Sequence, residues 1–307
     1  MIENIEKKEK LNNVDLWKYV EKHKPQIEKS LRDYLPLAPP QVVTRFNEAV
    51  EYALFSGGKR LRPVLTLLGA ELFGGKIGDI LPVAAAVEFI HTSSLIFDDL
   101  PCMDNADKRR GTDSLHQKFG EGLAVLVAIG FLNASYNLVF AHHKNSPELA
   151  IAAHFEIVEC VGAAGMLGGQ SVDLALAKGA GAGDFSNESY KSETIKNLKT
   201  SALMRLCLRV GAILSGAKDS ELAHLSRFAA LLGDAYQLSD DLIDLEEDSE
   251  IFSKTKTFAI SQGKGDAQIH LKNLIERAKQ ILTENFPPSE ARICLLQLSD
   301  YLAERNS

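Results

Sequence analysis

Apolar side chains recur at the spacing of one helix face through most of the 307-residue chain. The alternation of apolar and polar residues that is typical of strands is nearly absent. The pattern predicts an all-α protein, a bundle of about ten helices. The predicted helices cover Asp15 to Leu35 with a break near Pro25, Pro40 to Phe55, Lys59 to Phe73, Ile80 to Asp99, Glu121 to His143, Pro147 to Ala177, Glu188 to Gly216, Ser220 to Leu245, Asp266 to Phe286 and Ser289 to Arg305.

The joints between the predicted helices are short and rich in Gly and Pro, as at Gly57-Gly58 and Pro287-Pro288. None of them is long enough to be a domain linker. The sequence therefore predicts a single domain over residues 1–307, with residues 1–14 as a flexible N-terminal extension.

One predicted helix, Gly122 to Phe140, is apolar enough to raise the question of a membrane span, which needs about 20 such residues. It carries three polar residues, Asn133, Ser135 and Asn137. A helix that is apolar on all sides is also typical of the centre of a large soluble bundle. We favour the bundle and expect no stable membrane span.

Composition and charge narrow the partners and the location. The chain is 45% hydrophobic and 24% charged, which is ordinary for a soluble globular protein, and its net charge of −7 argues against a general nucleic-acid surface. The four cysteines form no CxxC pair, and the N-terminus lacks the features of a signal or transit peptide. We expect a cytoplasmic protein that binds no nucleic acid.

Two aspartate-rich segments end apolar helical runs far apart in the chain. The carboxylates are Asp98, Asp99 and Asp104 in the first segment and Asp240, Asp241 and Asp244 in the second. If these groups shared one pocket, they would repel one another unless cations lay between them. Hard divalent cations such as Mg²⁺ take oxygen ligands of this kind and usually bind phosphates as well. The pair of segments indicates a diphosphate held through metal ions.

The two segments differ in their local geometry. Pro101 cannot continue the first helix, so Asp98 and Asp99 lie on its last turn and Asp104 must return from a loop. His91 lies two turns before Asp98 on the same face, although a lone histidine in an apolar helix is more often a core residue.

In the second segment Asp240 and Asp244 share one helix face, and Gln237 precedes Asp240 by one turn on that face. A glutamine there can bind a phosphate or a metal-bound water. A solvated acidic helix end is the alternative for this segment taken alone.

Basic residues form two clusters suited to phosphate. Arg109 and Arg110 follow the first aspartate segment, and adjacent arginines must point apart, so they serve different groups. Lys59 and Arg62 follow Gly57-Gly58 at a predicted helix start, where free N–H groups attract anions. We expect Lys59 and Arg62 to share a helix face and to hold a second diphosphate without metal. A further candidate pair, Lys199-Thr200, lies within a helix, where the lysine can also simply reach solvent.

Taken together, these motifs resemble the short-chain trans-isoprenyl diphosphate synthases, the family of farnesyl and geranylgeranyl diphosphate synthases. Seven motifs follow the family's order over most of the chain. They are Gly57 to Pro63, Glu88 to Asp104, Arg109 to Gly111, His116 to Glu121, Gly169-Gln170 with Asp173-Leu174, Lys199-Thr200, and Tyr236 to Asp244.

The resemblance implies an isoprenoid synthase type bundle around a deep central cavity, usually a homodimer, with the two aspartate motifs facing each other across its mouth. It implies that Asp98, Asp104 and Asp240 hold Mg²⁺, about three ions per active site, and that these bind the allylic diphosphate. In this reading Asp99, Asp241 and Asp244 complete the set of metal-binding aspartates, and Arg109 and Lys199 assist them.

The same resemblance assigns isopentenyl diphosphate to a pocket of Lys59, Arg62, His91 and Arg110, with Gly58 beside them. Thr200 and Gln237 would stabilise the allylic carbocation. The isopentenyl double bond attacks that cation, and the departing pyrophosphate removes a proton.

The chain departs from the family pattern after Asp244, where a Gly-Lys loop and a later Lys-x-Thr-Tyr are replaced by a shorter segment. We expect Lys254 or Lys256 to supply the missing diphosphate contact. In the family, an aromatic residue five positions before the first aspartate stops growth at the farnesyl length, and this chain has Ser93 there.

We therefore expect geranylgeranyl diphosphate as the main product. The alternatives are a farnesyl diphosphate synthase, or a weakly active or regulatory prenyltransferase subunit. A terpene cyclase is disfavoured by the second aspartate motif and by the separate basic cluster.

Overall fold

The computed structural model describes residues 11, 13–142, 146–177, 192–247 and 263–305. This part of the chain is almost entirely helical, which confirms the all-α prediction. Its helices are α1 Leu16–Asp33, α2 Phe46–Phe55, α3 Leu61–Glu71, α4 Ile77–Asp99, α5 Leu115–Phe119, α6 Glu121–His142, α7 Pro147–Val161, α8 Met166–Ala177, α9 Ser192–Leu214, α10 Asp219–Glu247, α11 Lys264–Asn285 and α12 Glu290–Glu304.

The chain divides into two compact units. The N-terminal unit comprises Val20–Ile157 and Val210–Gly216, and the C-terminal unit comprises Met1–Tyr19, Val158–Arg209 and Ala217–Ser307. The prediction of a single domain stays a prediction. Most of the predicted extension, residues 1–10 and 12, lies outside the described residues.

In the N-terminal unit α4 is the central helix and packs against α3 and α6. Sixteen of its residues are buried, because its apolar side chains leave no polar face. Pro82 lies within its second turn, where a proline removes few hydrogen bonds. This helix ends at Asp99, so the packing of its body fixes where the first aspartates lie.

In the C-terminal unit α10, α11 and α12 pack together. Residues 14–16 are tied to α12 through Gln297, whose amide donates to the Val14 carbonyl at 2.8 Å and accepts from the Leu16 N–H at 2.7 Å. Ser289 caps α12 by accepting from the Arg292 N–H. The second aspartate segment lies on α10.

Several predicted boundaries are wrong. The helix over α1 has no break at Pro25, which lies on its exposed face, where the carbonyl freed one turn earlier can be hydrated. The second helix begins at Phe46 and not at Pro40. The long helix predicted from Pro147 is two helices, and at Gly165 between them a Cβ would lie 2.0 Å from the Cys160 carbonyl oxygen.

The sequence also missed two short elements. Lys108–Arg109 pairs antiparallel with Thr112–Asp113 to form strands β1 and β2 of a hairpin, and α5 follows directly. Strands of two residues are too short to show a period. This hairpin nevertheless sets the direction of both arginines that follow the first aspartate segment.

Three described stretches are long and apolar enough to cross a membrane by length and composition: Ile77–Asp99, Glu121–Phe140 and Pro147–Ala175. Only the second was recognised from the sequence as long and apolar enough. The first is mostly buried within the protein, whereas less than half of each of the other two is buried. Helix α6 is therefore not enclosed on all sides in the single chain.

Candidate active site

The first aspartate segment forms a compact loop at the end of α4. Leu100 takes the extended conformation that a following proline imposes, with ψ at 151°. The chain then turns back, and the Asp104 N–H donates to the Asp98 carbonyl at 2.9 Å. This confirms that Asp104 returns from a loop to the helix end. Asp98 and Asp99 are both buried.

Arg109, on strand β1, binds the second of these aspartates. Its Nε donates to Asp99 Oδ1 at 3.0 Å, and its Nη2 also donates to that oxygen. The hydrogen bond to Asp99 raises the pKa of Arg109, helped by the charges of Asp98 and Asp104 and opposed by burial. Asp99 thus has an arginine partner, and its proposed metal ligation stays a prediction.

Arg110 points away from Arg109, as the sequence predicted for adjacent arginines. It lies in the hairpin turn with φ at 53°, and its Nη1 donates to the Gly57 carbonyl at 2.5 Å. A Cβ on Gly58 would lie 2.8 Å from that same nitrogen. Only glycine fits at position 58, because φ is 125° there and the guanidinium lies against the backbone.

The prediction that Lys59 and Arg62 share a helix face is wrong, because α3 begins only at Leu61. The preceding residue, Arg60, is left-handed with φ at 56°, so the chain turns between the two basic residues. Lys59 is exposed, whereas Arg62 is half-buried and its Nε is buried without a hydrogen-bond partner. An unsatisfied buried donor of this kind fits an anionic ligand.

Arg60, which was not among the site residues predicted from the sequence, organises this loop. Only 4% of it is exposed. Its guanidinium donates to Glu28 at 2.7 Å, to Glu88 at 2.9 Å and to the Leu54 carbonyl at 2.7 Å. Burial lowers its pKa, but the two glutamates more than offset this, and the net shift is upward.

His91 lies one turn after Glu88 on α4 and is buried. Its pKa is well below the usual value, first because of burial and then because of the charges of Arg62, Arg110, Arg109 and Arg60. The imidazole is therefore neutral at pH 7 and carries one N–H donor. Burial also lowers the pKa of Arg110, whose neighbours include three other arginines. The N-terminal unit thus places the charges of four arginines around a neutral histidine.

The second aspartate segment lies on α10 of the C-terminal unit, with Asp240, Asp241 and Asp244 on one continuous helix. Gln237, one turn before Asp240, has a buried Oε1 without a hydrogen-bond partner. A buried acceptor left open usually indicates a water or an ion. The side chain of Asp244 lies outside what the structure describes.

Thr200 on α9 comes close to this part of α10. Its neighbour Ser201 donates to Asp234 Oδ1 at 3.1 Å, and a Cβ on Gly233 would lie 2.9 Å from the Ser201 Cα. Thr200 is therefore about one helical turn from the level of Gln237. Lys199 lies on α9, but its side chain is not among the parts of the chain that the structure describes. Lys254 and Lys256 lie outside the described residues altogether.

Arg305, directly after α12, is a second residue that the sequence did not reveal. Its Nη2 donates to Asp240 Oδ1 at 2.7 Å and to the Tyr236 carbonyl at 2.9 Å. Its Nε donates to Ser239 Oγ at 2.5 Å, and its guanidinium carbon lies 4.5 Å from the centre of the Tyr236 ring. In both units, then, a motif aspartate is held by an arginine.

The donor set suits Mg²⁺ that arrives with a diphosphate. Among the described residues no three His, Cys, Asp or Glu side chains form a metal site by themselves. Mg²⁺ usually keeps several waters and takes one or two carboxylates plus phosphate oxygens. The open Oε1 of Gln237 beside Asp240 fits such a water-rich site.

The fold and these residues define an all-α synthase of the isoprenoid type. The family model for polyprenyl synthetase matches residues 43–286. This chain belongs to that family and is a prenyltransferase.

Similar proteins support this assignment. The chain is 37% identical over 247 residues to a heterodimeric geranylgeranyl pyrophosphate synthase large subunit of Arabidopsis thaliana, covering 80% of this chain and 65% of that one. It is 34% identical to the geranylgeranyl pyrophosphate synthase of Catharanthus roseus, covering 92% and 79%. Among solved structures, an FPP/GFPP synthase from Zymomonas mobilis has a TM-score of 0.82 at 30% identity, covering 94% and 98%.

Proposed function

We propose that this protein condenses isopentenyl diphosphate with allylic diphosphates and that geranylgeranyl diphosphate is its main product. The observation that carries the proposal is the cationic cluster around His91 beside the carboxylate loop of Asp98, Asp99 and Asp104. One set of groups suits a diphosphate held directly, and the other suits a diphosphate held through metal. Relatives named geranylgeranyl pyrophosphate synthase support the product.

Isopentenyl diphosphate is held by Lys59, Arg62, His91 and Arg110 in this proposal. The unpartnered Nε of Arg62 and the N–H of the neutral imidazole donate to the phosphate oxygens. No metal is needed because this diphosphate is bound and does not leave.

In this proposal Asp98, Asp104 and Asp240 would hold the Mg²⁺ that binds the allylic diphosphate. The other aspartates, Asp99, Asp241 and Asp244, would complete the metal-binding set, and Arg109 and Lys199 would assist them. The metal ions supply charge stabilisation for the leaving diphosphate. Arg109 adds fixed hydrogen-bond donors whose orientation Asp99 sets.

The reaction breaks the allylic C–O bond, and its electron pair leaves with pyrophosphate. Thr200 and the Oε1 of Gln237 present oxygen atoms that stabilise the carbocation. The isopentenyl double bond then forms the new C–C bond. A proton passes from that carbon chain to pyrophosphate, so no protein base is required.

Activity is tested with purified protein, Mg²⁺, isopentenyl diphosphate and each allylic starter, with products sized by chromatography. We expect condensation that stops at geranylgeranyl diphosphate. A product of farnesyl length would favour the first alternative. No condensation with any starter would favour a regulatory subunit.

Product length has a sharper test at Ser93. This residue is buried on α4, and its hydroxyl donates to the Ala128 carbonyl of α6 at 2.9 Å. Ser93→Tyr should shorten the main product to farnesyl diphosphate, because a ring at this position fills space along α4. Ser94→Tyr is the matched control, since Ser94 instead donates back to the His91 carbonyl on its own helix. An unchanged product in Ser93→Tyr would contradict this basis for chain length.

We also propose that the protein is a homodimer. Helices α6 and α7 of the N-terminal unit carry exposed apolar side chains that one chain leaves uncovered: Leu126, Ile129, Phe140, Ile151 and Phe155. A second copy of this chain is the occupant we expect. Phe155→Glu should shift the mass measured by light scattering from dimer to monomer. A monomeric wild type would refute the homodimer.

Location and membrane behaviour stay predictions. We expect a cytoplasmic protein without a stable membrane span and without a nucleic-acid partner.

A further inference from the structure

Arg305 is fixed to α10 by contacts that do not depend on Asp240. Its Nε donates to Ser239 Oγ at 2.5 Å, and Ser239, which is fully buried, donates in turn to the Leu302 carbonyl at 3.2 Å. Its Nη2 donates to the Tyr236 carbonyl, and its guanidinium lies over the Tyr236 ring. The arginine is thereby anchored at the end of α12.

The partner carboxylate is the more exposed of the two side chains. The Asp240 side chain is 46% exposed, whereas that of Arg305 is 15% exposed. Nη2 of Arg305 donates to Oδ1 of Asp240 at 2.7 Å. A fixed donor on one oxygen restricts the rotation of the carboxylate.

A fixed cation beside Asp240 also reduces repulsion between the carboxylates of this segment. Asp241 is adjacent, and Asp244 follows one turn later on the same helix. Like charges at this spacing destabilise a helix. Arg305 places a positive charge beside the first of them before any metal ion binds.

We propose that Arg305 is a positioning residue that holds Asp240 ready for Mg²⁺ bound to diphosphate. The segment that follows α12 thereby becomes part of the binding machinery, through a residue that does not touch substrate. This inference rests on the proposed role of Asp240 as a metal ligand. Groups that orient a metal ligand typically change metal affinity by about 10–100-fold when they are removed.

The test is calorimetric titration of the purified protein with inorganic pyrophosphate in the presence of Mg²⁺. Arg305→Gln should weaken binding by about 10-fold or more. Arg305→Lys keeps the charge but not the planar fork, so its loss should be smaller. Unchanged or tighter binding in Arg305→Gln would overturn the proposal; tighter binding would mean that Arg305 competes with the metal.

The matched control is Lys279→Ala. Lys279 donates to Asp300 at 2.8 Å and so forms another ion pair in the C-terminal unit, one that includes none of the α10 aspartates. Pyrophosphate binding should be unchanged in this variant. Thermal unfolding of every variant in EDTA reports stability without metal and separates loss of fold from loss of binding.

A double-mutant cycle with Asp240→Asn tests the metal role of Asp240 separately from the positioning role of Arg305. If Asp240→Asn alone leaves binding unchanged, the proposed metal role of Asp240 fails. If it weakens binding while Arg305→Gln does not, only the positioning role fails. If Arg305 acts through Asp240, Arg305→Gln should cause no further loss when Asp240 is already Asn.

Discussion

The two aspartate regions solve the same electrostatic problem by different means. In the N-terminal unit Asp99 is buried and its arginine partner, Arg109, comes from the hairpin that follows directly in the chain. In the C-terminal unit Asp240 is half-exposed, and its partner, Arg305, comes from the end of the last helix. The first region is assembled from neighbouring sequence, and the second depends on tertiary packing. We expect the two regions to respond differently to mutation.

The largest difference should appear in activity after loss of one carboxylate charge. Asp98→Asn should lower kcat/KM by about 1000-fold and Asp240→Asn by about 100-fold. Asp98 is buried, so water cannot easily replace the lost ligand, whereas water can reach Asp240. The measurement is steady-state kinetics at saturating Mg²⁺.

Asp107→Asn is the control for this pair, because Asp107 is exposed in the same loop and accepts from Gln117 at 2.9 Å. Its kcat/KM should stay near that of the wild type. Equal losses in Asp98→Asn and Asp240→Asn would show that burial does not separate the two regions.

The next difference concerns folding stability. Arg60→Met leaves Glu88 buried without its partner, which should lower the free energy of unfolding by about 3–5 kcal/mol. Arg305→Gln breaks a pair that is partly exposed and should cost about 1 kcal/mol. Urea unfolding of each variant measures both values.

Two further variants make the stability comparison interpretable. Arg60→Met combined with Glu88→Gln should recover part of the loss, because the second change removes the unpaired buried charge. Arg45→Ala breaks the fully exposed pair with Glu48 and should leave stability unchanged. A loss in Arg305→Gln as large as that in Arg60→Met would remove the distinction between the regions.

Sequence predicted the first region well because its geometry is local. Pro101 ends the helix, and the short span to Asp104 allows only a loop that turns back. The opposite directions of Arg109 and Arg110 follow from their adjacency. The sequence failed where a backbone angle was decisive, at Arg60, whose left-handed φ moves Lys59 off the helix. It also did not show the short hairpin that carries Arg109.

The second region was predictable only as a helix face. The spacing of Gln237, Asp240 and Asp244 gives that face, and the structure places all three on α10. The contact between Asp240 and Arg305 joins residues 65 positions apart, and no periodicity signals it. Its only signal in the sequence is a motif of like charges that needs a counter-charge.

The last expected difference is a pH dependence of stability that comes from the N-terminal unit. The pKa of His91 is lowered in the folded state by burial and by the nearby arginines, so the unfolded state binds a proton at higher pH than the folded state. Well above the pKa of about 6.5 that His91 has in the unfolded state, the folded and unfolded states bind the same number of protons. As pH falls below it, only the unfolded state gains a proton, and the folded state loses stability by at most about 1.4 kcal/mol per pH unit.

His91→Gln removes this titration. Urea unfolding measures the difference in the free energy of unfolding between the variant and the wild type, with pH 7.5 as the reference. As pH falls from 6.5 to 5, this difference should change in favour of the variant. Arg305→Gln, which touches the other unit, should keep the slope of the wild type across that range. If the stability of His91→Gln follows that of the wild type at every pH, then the histidine is protonated alike in the folded and unfolded states. In that case the positive charges around it are already balanced by negative charges within the protein.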